Sequence, residues 1–70
     1  MPQLIDAQRK ITVELIKSMT YSQEIELNSM YTLYHYSDDD FVVLVRTEDW
    51  TEVAVVLYDD KNNTITFEMC

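Results

Sequence analysis

Along this chain the spacing of apolar positions changes once, from a helical period to a strand period. In residues 1–20, Leu4, Ile11, Leu15 and Met19 fall near one stripe, with Ile5, Thr12 and Ile16 beside it. That is the repeat of an amphipathic helix. Pro2 suits a helix start, while Asp6 lies early and Lys17 late, each complementing the helix dipole. The spacing predicts one helix that stops near Thr20-Tyr21-Ser22. From Gln23 the period is two. Ile25, Leu27, Ser29, Tyr31, Leu33 and His35 alternate with Glu24, Glu26, Asn28, Met30, Thr32, Tyr34 and Tyr36. This stretch reads as one long bent strand, or as two strands broken near Asn28-Ser29.

Three further strands are predicted, each closed by polar turn residues. Ser37–Asp40 turns into Phe41–Thr47, Glu48–Thr51 into Glu52–Tyr58, and Asp59–Asn63 into Thr64–Met69. Loops this short force neighbouring strands to run antiparallel. The expected fold is therefore α+β. One N-terminal helix packs on an antiparallel four-stranded meander, five-stranded if residues 23–36 form two strands, in a single domain over residues 1–70. Alternate turns of a meander lie at the same end of the sheet. The Asp38-Asp39-Asp40 turn and the Asp59-Asp60 turn are thus expected about two strand spacings apart, ~10 Å. Glu48-Asp49 and Trp50 belong to the opposite end.

Charge sharpens this picture. The net charge is −8 over 70 residues. Residues 1–20 carry a net +1, whereas residues 21–70 set eleven acids against only Arg46 and Lys61. A sheet rimmed by carboxylates repels nucleic acid and anionic membranes and attracts basic surfaces, such as those of nucleic-acid-binding proteins. The plainer role for such acidic turns is solubility and the blocking of edge pairing. No apolar run approaches the ~20 residues of a membrane span, and Met1-Pro2-Gln3 lacks the basic start and apolar core of a signal peptide. A cytoplasmic protein is the expectation.

Candidate chemistry is sparse. Glycine is absent, which excludes Gly-rich phosphate loops. His35 is the single histidine and Cys70 the single cysteine, too few for a zinc site or an internal disulfide. A catalytic role for His35 is outweighed by that of an ordinary strand-end histidine between Tyr34 and Tyr36. The three consecutive aspartates lack the Gly and the spaced Glu of a calcium loop. No cofactor and no metal are expected, and with no convergent catalytic set the protein is not expected to be an enzyme.

The aromatic residues carry more weight. A sheet covered by one helix leaves its other face open, and Tyr and Trp suit such a half-wet surface. Met30, Tyr34 and Tyr36 share one side of their strand, Tyr31 and Leu33 the other. One set is exposed unless a partner or a second copy covers it.

From Tyr31 to Cys70 the chain resembles the C-terminal half of the phage uracil-DNA glycosylase inhibitor family. The shared pattern is a Tyr-rich strand, the acidic turn Ser37–Asp40, the apolar strand Phe41–Val45, and a Thr-Glu-Asp turn with Trp50. It continues through Ala54-Val55-Val56-Leu57 and the turn Asp59–Asn63 to a closing strand ending at Met69. Val13-Glu14-Leu15-Ile16 is similar to part of that family's second helix. The resemblance implies a small acidic protein that imitates DNA. Its acidic strand edge would occupy an enzyme's phosphate-binding surface, and a pocket between helix and sheet would capture the apolar residue that the enzyme inserts into the duplex. The family's Gln-Glu dipeptide lies on an edge strand. Gln23-Glu24 is its counterpart here only with a strand order different from the family's.

Two functions follow as expectations. The first is a phage-encoded DNA-mimic inhibitor of a host DNA-binding enzyme, with uracil-DNA glycosylase the leading target and a CRISPR effector or restriction enzyme as alternatives. Glu24, Glu26, Asp38, Asp39, Asp40, Asp59 and Asp60 would stand in for phosphates, and Leu15, Met19, Val43 and Val55 would line the apolar pocket. The second is an immunity- or antitoxin-like interaction module, homodimeric in one version, that binds through Tyr34, Tyr36 and Trp50.

Overall fold

Two short helices lie on one face of a five-stranded sheet. The computed structural model describes residues 2–37 and 41–70. The helices are α1 (Pro2–Arg9) and α2 (Val13–Ser18), and the strands are β1 (Glu24–Glu26), β2 (Tyr31–His35), β3 (Val42–Arg46), β4 (Glu52–Asp59) and β5 (Thr64–Met69). Each strand pairs antiparallel with the next, in the order β1-β2-β3-β4-β5. The fold is the expected α+β meander, with five strands. Residues 23–36 form two of them because Asn28 builds the turn between. Its Oδ1 accepts the N–H groups of Met30 and Tyr31, both at 2.9 Å, while its Nδ2 donates to the Gln3 carbonyl at 2.9 Å. One side chain thus shapes the first hairpin and ties it to α1.

The single helix expected over the first twenty residues is instead two. Ile11-Thr12-Val13 is a run of three β-branched residues, which lose side-chain freedom against a preceding helical turn. Thr12 takes an extended conformation (φ −122°, ψ 161°), and its hydroxyl accepts the Leu15 N–H at 3.0 Å. It is the N-cap of α2. At the break Lys10 donates to the Leu27 carbonyl at 2.7 Å.

Strand alternation sorts the sheet into two faces. Leu33, Val42, Leu44, Ala54 and Val56 meet Ala7, Ile11, Ile16 and Met19 from the helical layer in one core. A bulge between Leu44 and Val45 in the β3–β4 register lets Val53 and Ala54 both serve this side. On the opposite face Thr32, Val43 and Val45 are also buried, although no helix covers them. In a chain without glycine, Ser22 (φ 66°), Trp50 (φ 60°) and Asn63 (φ 55°) supply the left-handed turn positions.

Candidate partner-binding surfaces

The topology makes β1 a free edge of the sheet. It is short, follows Gln23, and presents Glu24 and Glu26 as exposed carboxylates. Its start is fastened to the chain leaving α2. The Gln23 carboxamide oxygen accepts from the Thr20 N–H at 2.9 Å, Ser22 N–H donates to the His35 carbonyl at 2.8 Å, and His35 N–H donates to the Gln23 carbonyl at 3.0 Å.

Those bonds also frame a cavity of about 500 Å³ between α2 and the sheet. It is lined by Ile16, Lys17, Met19, Thr20, Tyr21, His35, Val42 and Tyr58. Its inner wall is apolar: Ile16, Met19 and Val42 are buried core residues. Tyr21 and His35 contact each other with ring centroids 5.1 Å apart. The His35 Nδ1 atom is buried without a hydrogen-bond partner among the described residues. At the rim, Lys17 Nζ bridges both carboxylate oxygens of Asp60, at 3.0 and 3.1 Å.

The opposite face carries an aromatic ridge. Tyr34 contacts Tyr36 and Trp50 edge-on, each with ring centroids 5.4 Å apart. Trp50 is placed there by an over-determined turn. Its N–H donates to the Arg46 carbonyl at 2.8 Å, Arg46 and Asp49 form an ion pair at 2.5 Å, and Asp49 Oδ1 accepts the Thr51 N–H at 3.1 Å. These bonds hold the Asp49 carboxyl down to about 2, the Arg46 contact contributing most. They also hold Trp50 at a positive φ, a conformation that costs a non-glycine residue on the order of 1–3 kcal/mol. Beside the ridge a second hollow, about 190 Å³, is lined by Tyr36, Phe41, Val43, Glu52 and Val55. The Tyr36 hydroxyl donates to Glu52, and this bond raises the phenol above its ordinary range.

The expected apolar pocket of Leu15, Met19, Val43 and Val55 is not formed as one site. Met19 lines the cavity under α2, and Leu15 packs partly buried against the helical-side core. Val43 and Val55 are cross-strand partners that line the hollow on the other face. The physical reason is strand parity: Val42 faces the helices, so Val43 faces away. Tyr34, Tyr36 and Trp50 come together on the same face as Val43, although Trp50 belongs to the turn at the opposite end of the sheet from Tyr36.

The acidic residues divide as well. Asp59 is a turn-builder. Its Oδ1 accepts from the N–H groups of Lys61 and Asn62 at 3.0 and 3.3 Å, and its Oδ2 accepts from Asn62 Nδ2 at 2.7 Å. The Asn62 contact contributes most to a lowered Asp59 pKa. Asp60 is paired with Lys17. Asp38, Asp39 and Asp40 lie outside the described residues. Glu52, Phe41 and Tyr58 were not singled out from the sequence as binding residues. Period-two alternation from Val42 carries the face of Phe41, whereas Glu52 reaches that face only through the bulge in the β3–β4 register.

Among the described residues, no three or more His, Cys, Asp or Glu side chains gather as a metal-ligand set. No helix among them is long and apolar enough to cross a membrane. No known protein family, curated protein or solved structure matches this chain.

Proposed function

We propose that this chain is a DNA-mimicking inhibitor that binds and blocks a DNA-binding enzyme, with uracil-DNA glycosylase the leading target. One juxtaposition carries the reading. The free edge strand bearing Glu24 and Glu26, with Gln23 immediately before it, starts at the wall of the apolar-floored cavity between α2 and the sheet. An acidic edge beside such a cavity suits an enzyme that reads phosphates with a basic groove and pushes an apolar side chain into the duplex. The carboxylates supply long-range attraction and the cavity supplies desolvated contact. The resemblance to the glycosylase-inhibitor family points to the same pairing of features. The net charge of −8 adds steering toward a basic target.

The test is a uracil-excision assay in which a bacterial uracil-DNA glycosylase is titrated with this protein at low and high salt. Stoichiometric inhibition that weakens at least about tenfold with rising salt is expected, as for binding dominated by many charges. Glu24→Gln with Glu26→Gln should weaken inhibition while leaving the fold intact. Absence of inhibition at low salt overturns the glycosylase as target. In that event, failure to bind other DNA-processing enzymes with basic grooves overturns the mimic reading itself.

A further inference from the structure

We propose that the sheet face opposite the helices is a second docking surface, and that its occupant is a basic amphipathic α-helix of a partner protein. This does not rest on the inhibitor reading, which uses the cavity on the other side of the sheet, although both surfaces draw on the carboxylates of Glu24 and Glu26 in the edge strand β1.

The pairing register defines the face row by row. Glu24, Tyr34, Val43, Val55 and Glu68 are successive cross-strand partners over all five strands. In the next row Glu26, Thr32, Val45 and Glu52 are partners in the same way. Each row is acidic at both ends; its middle is Tyr34, Val43 and Val55 in the first and the buried Thr32 and Val45 in the second. Toward the other end of the strands the same face continues through Tyr36 and Leu57. Phe41, Leu57 and Trp50 stand 51%, 42% and 44% exposed, large apolar groups on one side of a small domain. Such a contiguous patch with a polar rim marks an interaction surface.

Width and charge choose the occupant. Four strand spacings separate Glu24 from Glu68 and three separate Glu26 from Glu52, roughly 19 and 14 Å. An α-helix with its side chains is about 10–12 Å across. It fits between the two acidic rims with its apolar stripe over Tyr34, Val55 and Leu57, and Lys or Arg stems on both flanks reach the carboxylates. The 190 Å³ hollow beside Phe41 and Glu52 gives one large apolar side chain a seat. A second copy of this chain is the wrong occupant. Among the described residues no strand position on this face is Lys or Arg, so self-association sets carboxylate rim against carboxylate rim.

A synthetic Leu/Lys amphipathic helix of about 18 residues, long enough to hold helical structure, is the probe. It is titrated into the isotope-labelled full chain while amide shifts are recorded. The expected result is saturable binding that maps to Val43, Val55, Leu57 and Glu68. Leu57→Ser, and separately Glu52→Gln with Glu68→Gln, should each weaken Kd at least tenfold. Both changes are at exposed positions, and unchanged amide spectra of the free variants check the fold. A charge-reversed Leu/Glu peptide should not bind. Shifts confined to the α2 cavity, equal binding of the Leu/Glu peptide, or no binding at millimolar peptide would overturn the proposal. So would a concentration-dependent dimer of the free chain that Leu57→Ser abolishes. Uracil-excision inhibition by Leu57→Ser should equal that of the parent chain, which separates this surface from the inhibitory one.

Discussion

Trp50 stands edge-on to Tyr34, with ring centroids 5.4 Å apart and ring planes at 84°. The contact joins a turn to the middle of the sheet, on the face where Thr32, Val43 and Val45 are buried. The turn that aims Trp50 is held by Asp49. Replacing Asp49 with Ala should release the left-handed residue and loosen the indole from Tyr34. Because Trp50 is the single tryptophan, its fluorescence reports the change directly. A red shift and easier quenching by iodide are expected, together with a lower melting temperature. An unchanged spectrum would show that Tyr34 alone positions the indole.

The lowered pKa values of Asp49 and Asp59 make stability depend on acid. A carboxyl with a depressed folded-state pKa contributes stability that is complete above its unfolded value near 4. That contribution is lost as pH falls toward the folded value, about 2 for Asp49. Urea midpoints should thus be level above pH 5, apart from the general charge repulsion of an acidic chain, and fall between pH 4 and about 2. Asp49→Asn should flatten that fall. An identical acid limb in the variant would place the linkage elsewhere.

Leu33 and Leu44 face each other across β2 and β3 and have no exposed surface. Truncation of either to Ala should cost about 2–5 kcal/mol. A chain of this size has only about 4–10 kcal/mol to lose. Urea unfolding should show a midpoint drop of at least about a fifth, whereas truncation of exposed Ile5 should change little.

Ser22 sits at φ 66° where the chain passes from α2 to β1. Glycine tolerates that geometry, so Ser22→Gly should stabilise by about 0.5–1 kcal/mol. At the helix break the sign reverses. Thr12→Ala removes the hydroxyl that caps α2 and should cost about 1 kcal/mol. Thermal melts of the two variants check both signs, and a neutral Thr12→Ala would mean that burial of Ile11 alone sets the break.

Much of the fold was legible in the chain itself. Period-two alternation and short polar turns are local properties, so β3, β4 and β5 lie where the pattern puts them, and antiparallel pairing follows from loop length. Parity puts Tyr34 and Tyr36 on one side of their strand, whereas the contact of Trp50 with Tyr34 depends on how its turn folds back over the sheet. Other features were not legible. Leu4, Ile11, Leu15 and Met19 keep a helical repeat across a break that Thr12 makes by capping, since periodicity survives a change of axis that it does not record. The break near Asn28-Ser29 is one of two readings that the pattern of residues 23–36 allows, and only the hydrogen bonds of Asn28 decide for the hairpin.

Composition and pattern by themselves determined an acidic α+β meander with one aromatic strand and no glycine at its turns. Tertiary structure alone decided which side of the sheet the helices cover, and with it that Met19 and Val43 line different cavities. It also decided which acids are free: Asp59 is consumed by its own turn and Asp60 by Lys17, while Glu24, Glu26 and Glu68 stand exposed. The reason is physical. Alternation along a strand defines two faces without labelling them, and a carboxylate's availability depends on donors that only the folded chain brings within hydrogen-bonding distance.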